Sequence, residues 1–149
     1  MRIILQRVSQ ASVVVDEQVI GQINQGLMCL IGFGSGDSER LFEPMLQKLI
    51  NMRIFENEQG RFDKSLLDIE GELLLVPQFT LYADLKKGRR PDFTGALAPD
   101  QAKALFDSFV AFAHRSPFKK VATGQFGANM QVSLINVGPV TITIDSALL

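Results

Sequence analysis

The 149-residue sequence holds one cysteine, one histidine, one tyrosine and no tryptophan. One cysteine excludes an internal disulfide. Cys29 lies in the apolar run "LMCLIGF", where a small buried hydrophobe is expected rather than a reactive thiol. An unpaired thiol fits a reducing compartment, and the expected location is cytoplasmic. A lone histidine and a lone cysteine cannot assemble the common zinc sites. A Ser-His-Asp triad would have to recruit His114 from a helix end, where a solvated or dipole-stabilising role is expected. Asp16, Glu17, Asp37, Glu39, Glu56 and Glu58 fall by pattern in turns or on solvated faces. Neither a metal nor a cofactor is expected, and conventional side-chain catalysis is poorly supplied.

A surplus of positive charge is also missing. Lys and Arg total 15 against 16 Asp and Glu, for a net charge of −1. A protein that grips long nucleic acid by its phosphates is more basic, so any RNA contact here is expected to be local. No apolar run approaches the roughly 18 residues of a membrane span. Arg2 and Arg7 break the first apolar run, which does not resemble a signal peptide. There is no repeat, linker or low-complexity segment.

What is present suits one globular domain over residues 1–149, able to bury about 70% of its unfolded surface. Residues 2–9 read as a strand. "ASVVV" and "QVIGQI", joined by Asp16 and Glu17, read as a hairpin. "GLMCLIGF" reads as a strand buried on both faces. A helix is expected from about Ser38 to Asn51, with Phe42, Met45, Leu46, Leu49 and Ile50 on one stripe and Pro44 in the first turn. "ELLLVPQFTLY" reads as a strand interrupted by Pro77. A second helix starts near Pro99 and buries Ala102, Leu105, Phe106, Phe109, Val110 and Ala113. "MQVSLIN" and "GPVTITID" read as two strands. The expected class is α+β, a largely antiparallel, barrel-like sheet with two main helices.

Three segments invite a functional reading. "GFGSGD" carries Gly32, Gly34 and Gly36 between a strand and a helix. Its spacing is not that of a dinucleotide fingerprint and the βαβ context is absent, so a flexible turn is expected. "KKGRRP" places Lys86, Lys87, Arg89 and Arg90 within five positions, either as a phosphate contact or as a solvated loop. "NVGPVTI" sets Gly138 and Pro139 inside a strand-like run, although neither suits a ladder.

"PQFTL" (77–81) and "NVGPVT" (136–141) together resemble the paired signature of the D-aminoacyl-tRNA deacylases, also called D-tyrosyl-tRNA deacylases. "QRV", "MRIFE", "KKGRRP" and "GQFGANM" are similar to family segments in the expected order, so the resemblance spans essentially the whole chain. It implies a cytoplasmic homodimer acting on the aminoacyl-tRNA 3′ end, with active sites at the subunit interface. The reaction implied is hydrolysis of the ester that joins a D-amino acid to tRNA. It implies a cis Gly138–Pro139 bond, with this motif of one subunit reaching into the site of the other. Its carbonyls would reject L-aminoacyl groups by collision, and glycyl-tRNA would pass.

The resemblance further implies an oxyanion site of backbone N–H groups around Phe79 and Thr80, with the terminal ribose 2′-hydroxyl helping to activate water. Gln78 would orient the substrate end. The Thr80 hydroxyl would either assist or simply bond its strand neighbours, and Phe79 reads as core on periodicity alone. Phe126 and Met130 match positions lining an adenosine pocket, or pack in the core. Arg7 matches a residue bracing the Gly–Pro loop; by pattern alone it is an edge-strand arginine in water. Two departures stand out. Pro77 replaces a usual serine, as in a related deacylase group that tolerates a small L-amino acid, and Val137 replaces a common aspartate. The competing readings are therefore a relaxed-chirality deacylase and a non-catalytic RNA-end binding module.

Overall fold

β1 (Arg2–Val15) is a single strand that serves two cores. In the computed structural model, which describes residues 1–149, Ile3 and Leu5 point into one core, and Val8, Ala11 and Val13 into another. The change of face coincides with register shifts against the final strand between Gln6 and Gln10. An irregularity of this kind re-aims side chains without ending the pairing. The sequence reading stopped the first strand at residue 9; the pairing carries it six residues further.

β2 (Gln18–Ile23) returns through a turn in which Asp16 and Glu17 have φ of 47° and 63°. Two consecutive left-handed residues match the twist of a tight hairpin. β3 (Gly26–Gly32) continues from β2, and the two lie end to end along one edge of β1. The order mixes directions from there. β6 (Glu72–Pro77) pairs parallel to β3, and β7 (Val121–Thr123) parallel to β6. A Cβ on Gly21 of β2 would meet the Thr123 carbonyl oxygen of β7 at 2.5 Å, so these edges close toward a barrel. β4 (Phe55–Glu56) and β5 (Phe62–Lys64) form a separate small hairpin. The antiparallel β1 ladders dominate, as expected, and the two parallel joints are additional to that reading.

β8 (Gln131–Asp145) runs the length of β1 and pairs with no other strand. It is one strand rather than the expected two. Gln6 pairs with Thr141 and Val8 with Asn136, so Arg7 alone faces residues 137–140, which bulge from the ladder.

α1 (Phe42–Asn51) follows a 3-10 turn at Glu39–Leu41, and Pro44 sits in its first turn, where no intrahelical donor is lost. Its five expected apolar residues are all buried. α2 (Pro99–His114) buries Ala102, Phe106, Phe109 and Ala113, while Leu105 and Val110 are half-buried. Phe42 and Phe109 meet edge to face at 5.2 Å, locking the helices over one face of the sheet. Leu73 and Leu75 face the helices and Leu74 and Val76 face the inner core, which explains why "LLLV" reads as an unbroken apolar run. No helix is long and apolar enough to cross a membrane.

Candidate active site

Pro77 ends β6 instead of interrupting it. Gln78 makes the last rung, its N–H donating to the Ile31 carbonyl at 2.7 Å. The chain then closes a 3-10 turn, Phe79–Tyr82, so Phe79 and Thr80 are not strand residues. They occupy the first positions of that turn, where N–H groups find no acceptor within the turn itself. Thr80 is exposed, and its Oγ1 accepts from the Gln78 side-chain amide.

The turn forms one wall of a cavity of about 570 Å³. Gln78 and Phe79 line it together with Phe93, Leu97, Phe126 and Met130. Phe79 is 53% exposed, which removes it from the core, and its ring meets Phe93 edge to face at 5.0 Å. The residue 124–130 loop leaves β7 through a Gly124 N–H bond to the Leu75 carbonyl, 2.8 Å. The Met130 sulfur accepts from the Gln125 N–H at 3.3 Å, which fixes that side chain at the cavity. Phe126 also packs on Phe106 of α2 at 6.5 Å, so it serves both the cavity and the core. No cluster of three metal-ligating side chains occurs. The lining is mostly apolar and includes the rings of Phe79, Phe93 and Phe126.

"GFGSGD" brackets this cavity. A Cβ on Gly32 would meet the Gln78 carbonyl oxygen at 2.8 Å, and one on Gly34 the Tyr82 Cζ at 2.7 Å. The Phe33 carbonyl accepts from the Leu97 N–H at 2.9 Å, and Gly95 O from Ser35 N–H at 3.1 Å, which ties down the opposite wall. Asp37 is not in a solvated turn. Its Oδ2 accepts from the Gly34 N–H at 2.7 Å and pairs with the Met1 ammonium at 2.5 Å. The Tyr82 hydroxyl donates to the same oxygen at 3.4 Å. Burial first, and then the Asp37 carboxylate, push the Tyr82 phenol above its ordinary value, which keeps it a donor. Arg2 stacks over the Tyr82 ring at 4.5 Å and donates to the Leu81 carbonyl at 3.0 Å. Gly34→Ala should therefore destabilise the protein by about 1–3 kcal/mol through overpacking. Tyr82 is the only tyrosine and there is no tryptophan, so its fluorescence during thermal melting reports this bracket directly. In a Tyr82→Leu background, which has no tyrosine left and is melted by circular dichroism instead, the cost of the alanine should largely vanish.

The structure does not bring Gly138 and Pro139 to this cavity. Val132 lines it, and Gly138 lies six residues further along β8, roughly 20 Å away at ordinary strand rise. The Gly138–Pro139 bond is cis and both residues are exposed. Arg7 stands behind them, only 5% exposed. Its Nε donates to the Val137 carbonyl at 2.9 Å and Nη1 to the Ile54 carbonyl at 2.7 Å. Nη2 reaches Glu56 at 3.4 Å, and the Phe62 ring lies 5.5 Å from the guanidinium. A charge this deep is tolerable only with such partners. Glu56, expected in a solvated turn, is half-exposed and one of them. Lys86, Lys87, Arg89 and Arg90 are exposed on the loop between the two cavity walls, and only Lys86 approaches a carboxylate, Asp84 at 3.9 Å. Cys29 is fully buried, and burial pushes its thiol up, away from reactivity.

Phe93, Leu97 and the Asp37–Tyr82 pair were not singled out in the sequence. Phe93 follows the basic loop in an irregular segment, where no periodicity marks a buried or cavity-lining position.

Fold and cleft together define a class: a mixed, barrel-like α+β protein with an apolar, aromatic cleft beside the first residues of a 3-10 turn. Residues 4–145 match the family D-Tyr-tRNA(Tyr) deacylase. A D-aminoacyl-tRNA deacylase of Roseiflexus sp. (strain RS-1) is 53% identical over 148 residues, covering 99% of this chain and 95% of that protein. The solved structure of a c-Myc DNA Unwinding Element Binding Protein superposes with a TM-score of 0.91 at 38% identity, covering 98% of this chain and 99% of that one. A probable eukaryotic D-amino acid tRNA deacylase shares the fold, with a TM-score of 0.81 at 23% identity over 96% and 97% of the two chains. The chain belongs to the D-Tyr-tRNA(Tyr) deacylase family.

Proposed function

We propose that the protein is a cytoplasmic homodimer that hydrolyses the ester of D-aminoacyl-tRNA, with the Gly138–Pro139 main chain of one subunit closing the cleft of the other. One observation carries this reading. The cleft holds no reactive side chain and ends at Val132, while the Gly138–Pro139 bulge stands farther along the same strand, exposed on an unpaired edge. A second copy supplies what one chain keeps apart. The same edge exposes Val132, Ile135 and Val137 by 37%, 51% and 44%. An apolar edge strand of that kind is an association surface unless something covers it.

The chemistry asks little of side chains because an aminoacyl ester is already activated. Water adds to the ester carbonyl carbon, and the bond from that carbon to the ribose oxygen breaks. The ribose oxygen leaves with a proton, and the free amino acid and tRNA depart. The N–H groups of Phe79 and Thr80 face the developing oxyanion, the ribose 2′-hydroxyl helps to activate the water, and Gln78 orients the ester. Phe126 and Met130 hold the terminal adenosine. An L side chain would strike the Gly138 and Pro139 carbonyls, a D side chain would point to solvent, and glycine would escape the test.

Release of amino acid from D-aminoacyl-tRNA, with and without protein, tests the activity. Tight binding without acceleration would leave an RNA-end binding module instead. Pro77, buried and without a hydroxyl, motivates the relaxed-chirality reading. Matched D- and L-aminoacyl-tRNAs decide that point, and comparable rates would favour the relaxed enzyme.

Phosphates of the tRNA end meet Lys86, Lys87, Arg89 and Arg90. Neutralising all four should raise KM and reduce the slope of log KM against log salt by up to about three. If KM and its salt dependence both stay unchanged, the loop is only solvated.

A further inference from the structure

The signature "NVGPVT" contains two polar residues, Asn136 and Thr141, to which the reading above gives no task. The bulge explains them. Between the Val8–Asn136 and Gln6–Thr141 pairs, residues 137–140 have no ladder partner on β1. The Asn136 carboxamide takes over that pairing at Val140. Its Oδ1 accepts from the Val140 N–H at 2.7 Å, and its Nδ2 donates to the Val140 carbonyl at 3.2 Å. A side-chain amide thus replaces a strand peptide, bond for bond. Nδ2 also donates to Thr141 Oγ1 at 3.0 Å. Both ends of the 137–139 segment are closed by one side chain, and Arg7 pins Val137 from behind. Gly138 and Pro139 are left as the exposed crest.

We infer that Asn136 is a positioning residue for stereochemical selection: its carboxamide fixes the Gly138–Pro139 main chain, and Thr141 orients that carboxamide. The inference rests on the reading that these two residues face an aminoacyl group. Rejection by collision needs a wall that does not yield, because a wall free to move by a fraction of an ångström admits what it should exclude. Asn136 touches no substrate in this scheme. Its loss adds no bulk to the cleft, so it should let L substrates in without keeping D substrates out.

The test compares kcat/KM on matched D- and L-aminoacyl-tRNAs for wild type, Asn136→Ala, Asn136→Asp, Thr141→Val and Thr141→Ser. Asn136→Asp keeps the acceptor for Val140 N–H but sets a second oxygen against the Val140 carbonyl. Both Asn136 variants should lower the D:L ratio by about tenfold or more, mainly through faster L hydrolysis, with the D rate kept within a few-fold. Thr141→Val should lower it less, and Thr141→Ser, which retains the hydroxyl, should restore the wild-type ratio. Melting temperature and dimer size, measured alongside, separate this from general unfolding, which would depress both rates together. Asn136 variants with the wild-type ratio, or with both rates depressed equally, overturn the inference. A wild-type enzyme that does not distinguish D from L overturns the underlying reading instead, so the two failures are told apart.

Discussion

Phe79→Pro should lower kcat on D-aminoacyl-tRNA by about 100- to 1,000-fold, whereas Phe79→Ala should leave kcat within about tenfold and act mainly on KM. The pair separates a backbone donor from a ring. Alanine removes the aromatic group that meets Phe93 but keeps the N–H; proline removes both. The position accepts the change locally. Phe79 opens its 3-10 turn, where an N–H has no partner in the turn, and Gln78 before it lies outside the helical region, with φ −149° and ψ 83°. A serine or cysteine nucleophile would make no such distinction between the two variants. Equal kcat values for Phe79→Pro and Phe79→Ala, in single-turnover measurements, would remove this N–H from the reaction.

Gly138→Val should lower kcat/KM on the same substrate by about 100-fold while size exclusion gives the same particle size as wild type. Gly138 has φ of +139°, which a β-branched residue adopts only under strain. A Cβ there would lie 2.8 Å from Val140 Cγ2, 2.9 Å from the Val140 nitrogen and 3.1 Å from Arg7 Nη2. Two of those three neighbours are held, Arg7 by carbonyls and Val140 by Asn136, so the bulge itself must move. A displacement near 1 Å at a group that positions substrate is enough for a loss of this size. The outcome differs from that of Asn136→Ala: valine thickens the wall and obstructs every substrate, whereas losing the clamp loosens the wall and admits the wrong one. Unchanged turnover in Gly138→Val would show that this backbone approaches no substrate.

Helices and buried strands were legible because their periodicity reflects burial. The stripe from Phe42 to Ile50 is buried as read, and so is the run Gly26–Gly32 apart from half-buried Leu30. The ends of strands were less legible. "PQFTLY" is ambiguous between a strand that continues past Pro77 and a 3-10 turn, because the spacing of Phe79 and Leu81 suits a strand and that of Phe79 and Tyr82 suits the turn. The difference is made by Gly32 and Gly34, more than forty residues earlier, which leave room for the Gln78 carbonyl and the Tyr82 ring. "GFGSGD" therefore read as a loose turn, since its purpose lies in what packs against it. Asp37 and Glu56 read as solvated because their partners, the Met1 ammonium and Arg7, are distant in sequence. The continuity of β8 was hidden by Gly138 and Pro139, which locally predict a break. The Asn136 side chain bridges that break by bonding the N–H and carbonyl of Val140, just beyond the two residues. The cleft residues Gln78, Phe79, Phe126 and Met130 were found through the family resemblance, since periodicity alone assigns Phe79 to the core.

Mixing Phe79→Pro and Gly138→Val subunits tests the cross-subunit site most directly. Each homodimer carries one defect in every site. If a site takes Phe79 from one chain and Gly138 from the other, a mixed dimer concentrates both defects in one site and leaves its second site intact. Equimolar exchange should then recover roughly a quarter of wild-type activity, the statistical share of intact sites in a two-fold dimer. Mixed dimers that form, as shown by mass, but recover no deacylation above the two parent variants would place Phe79 and Gly138 in the same site of one chain and contradict the account.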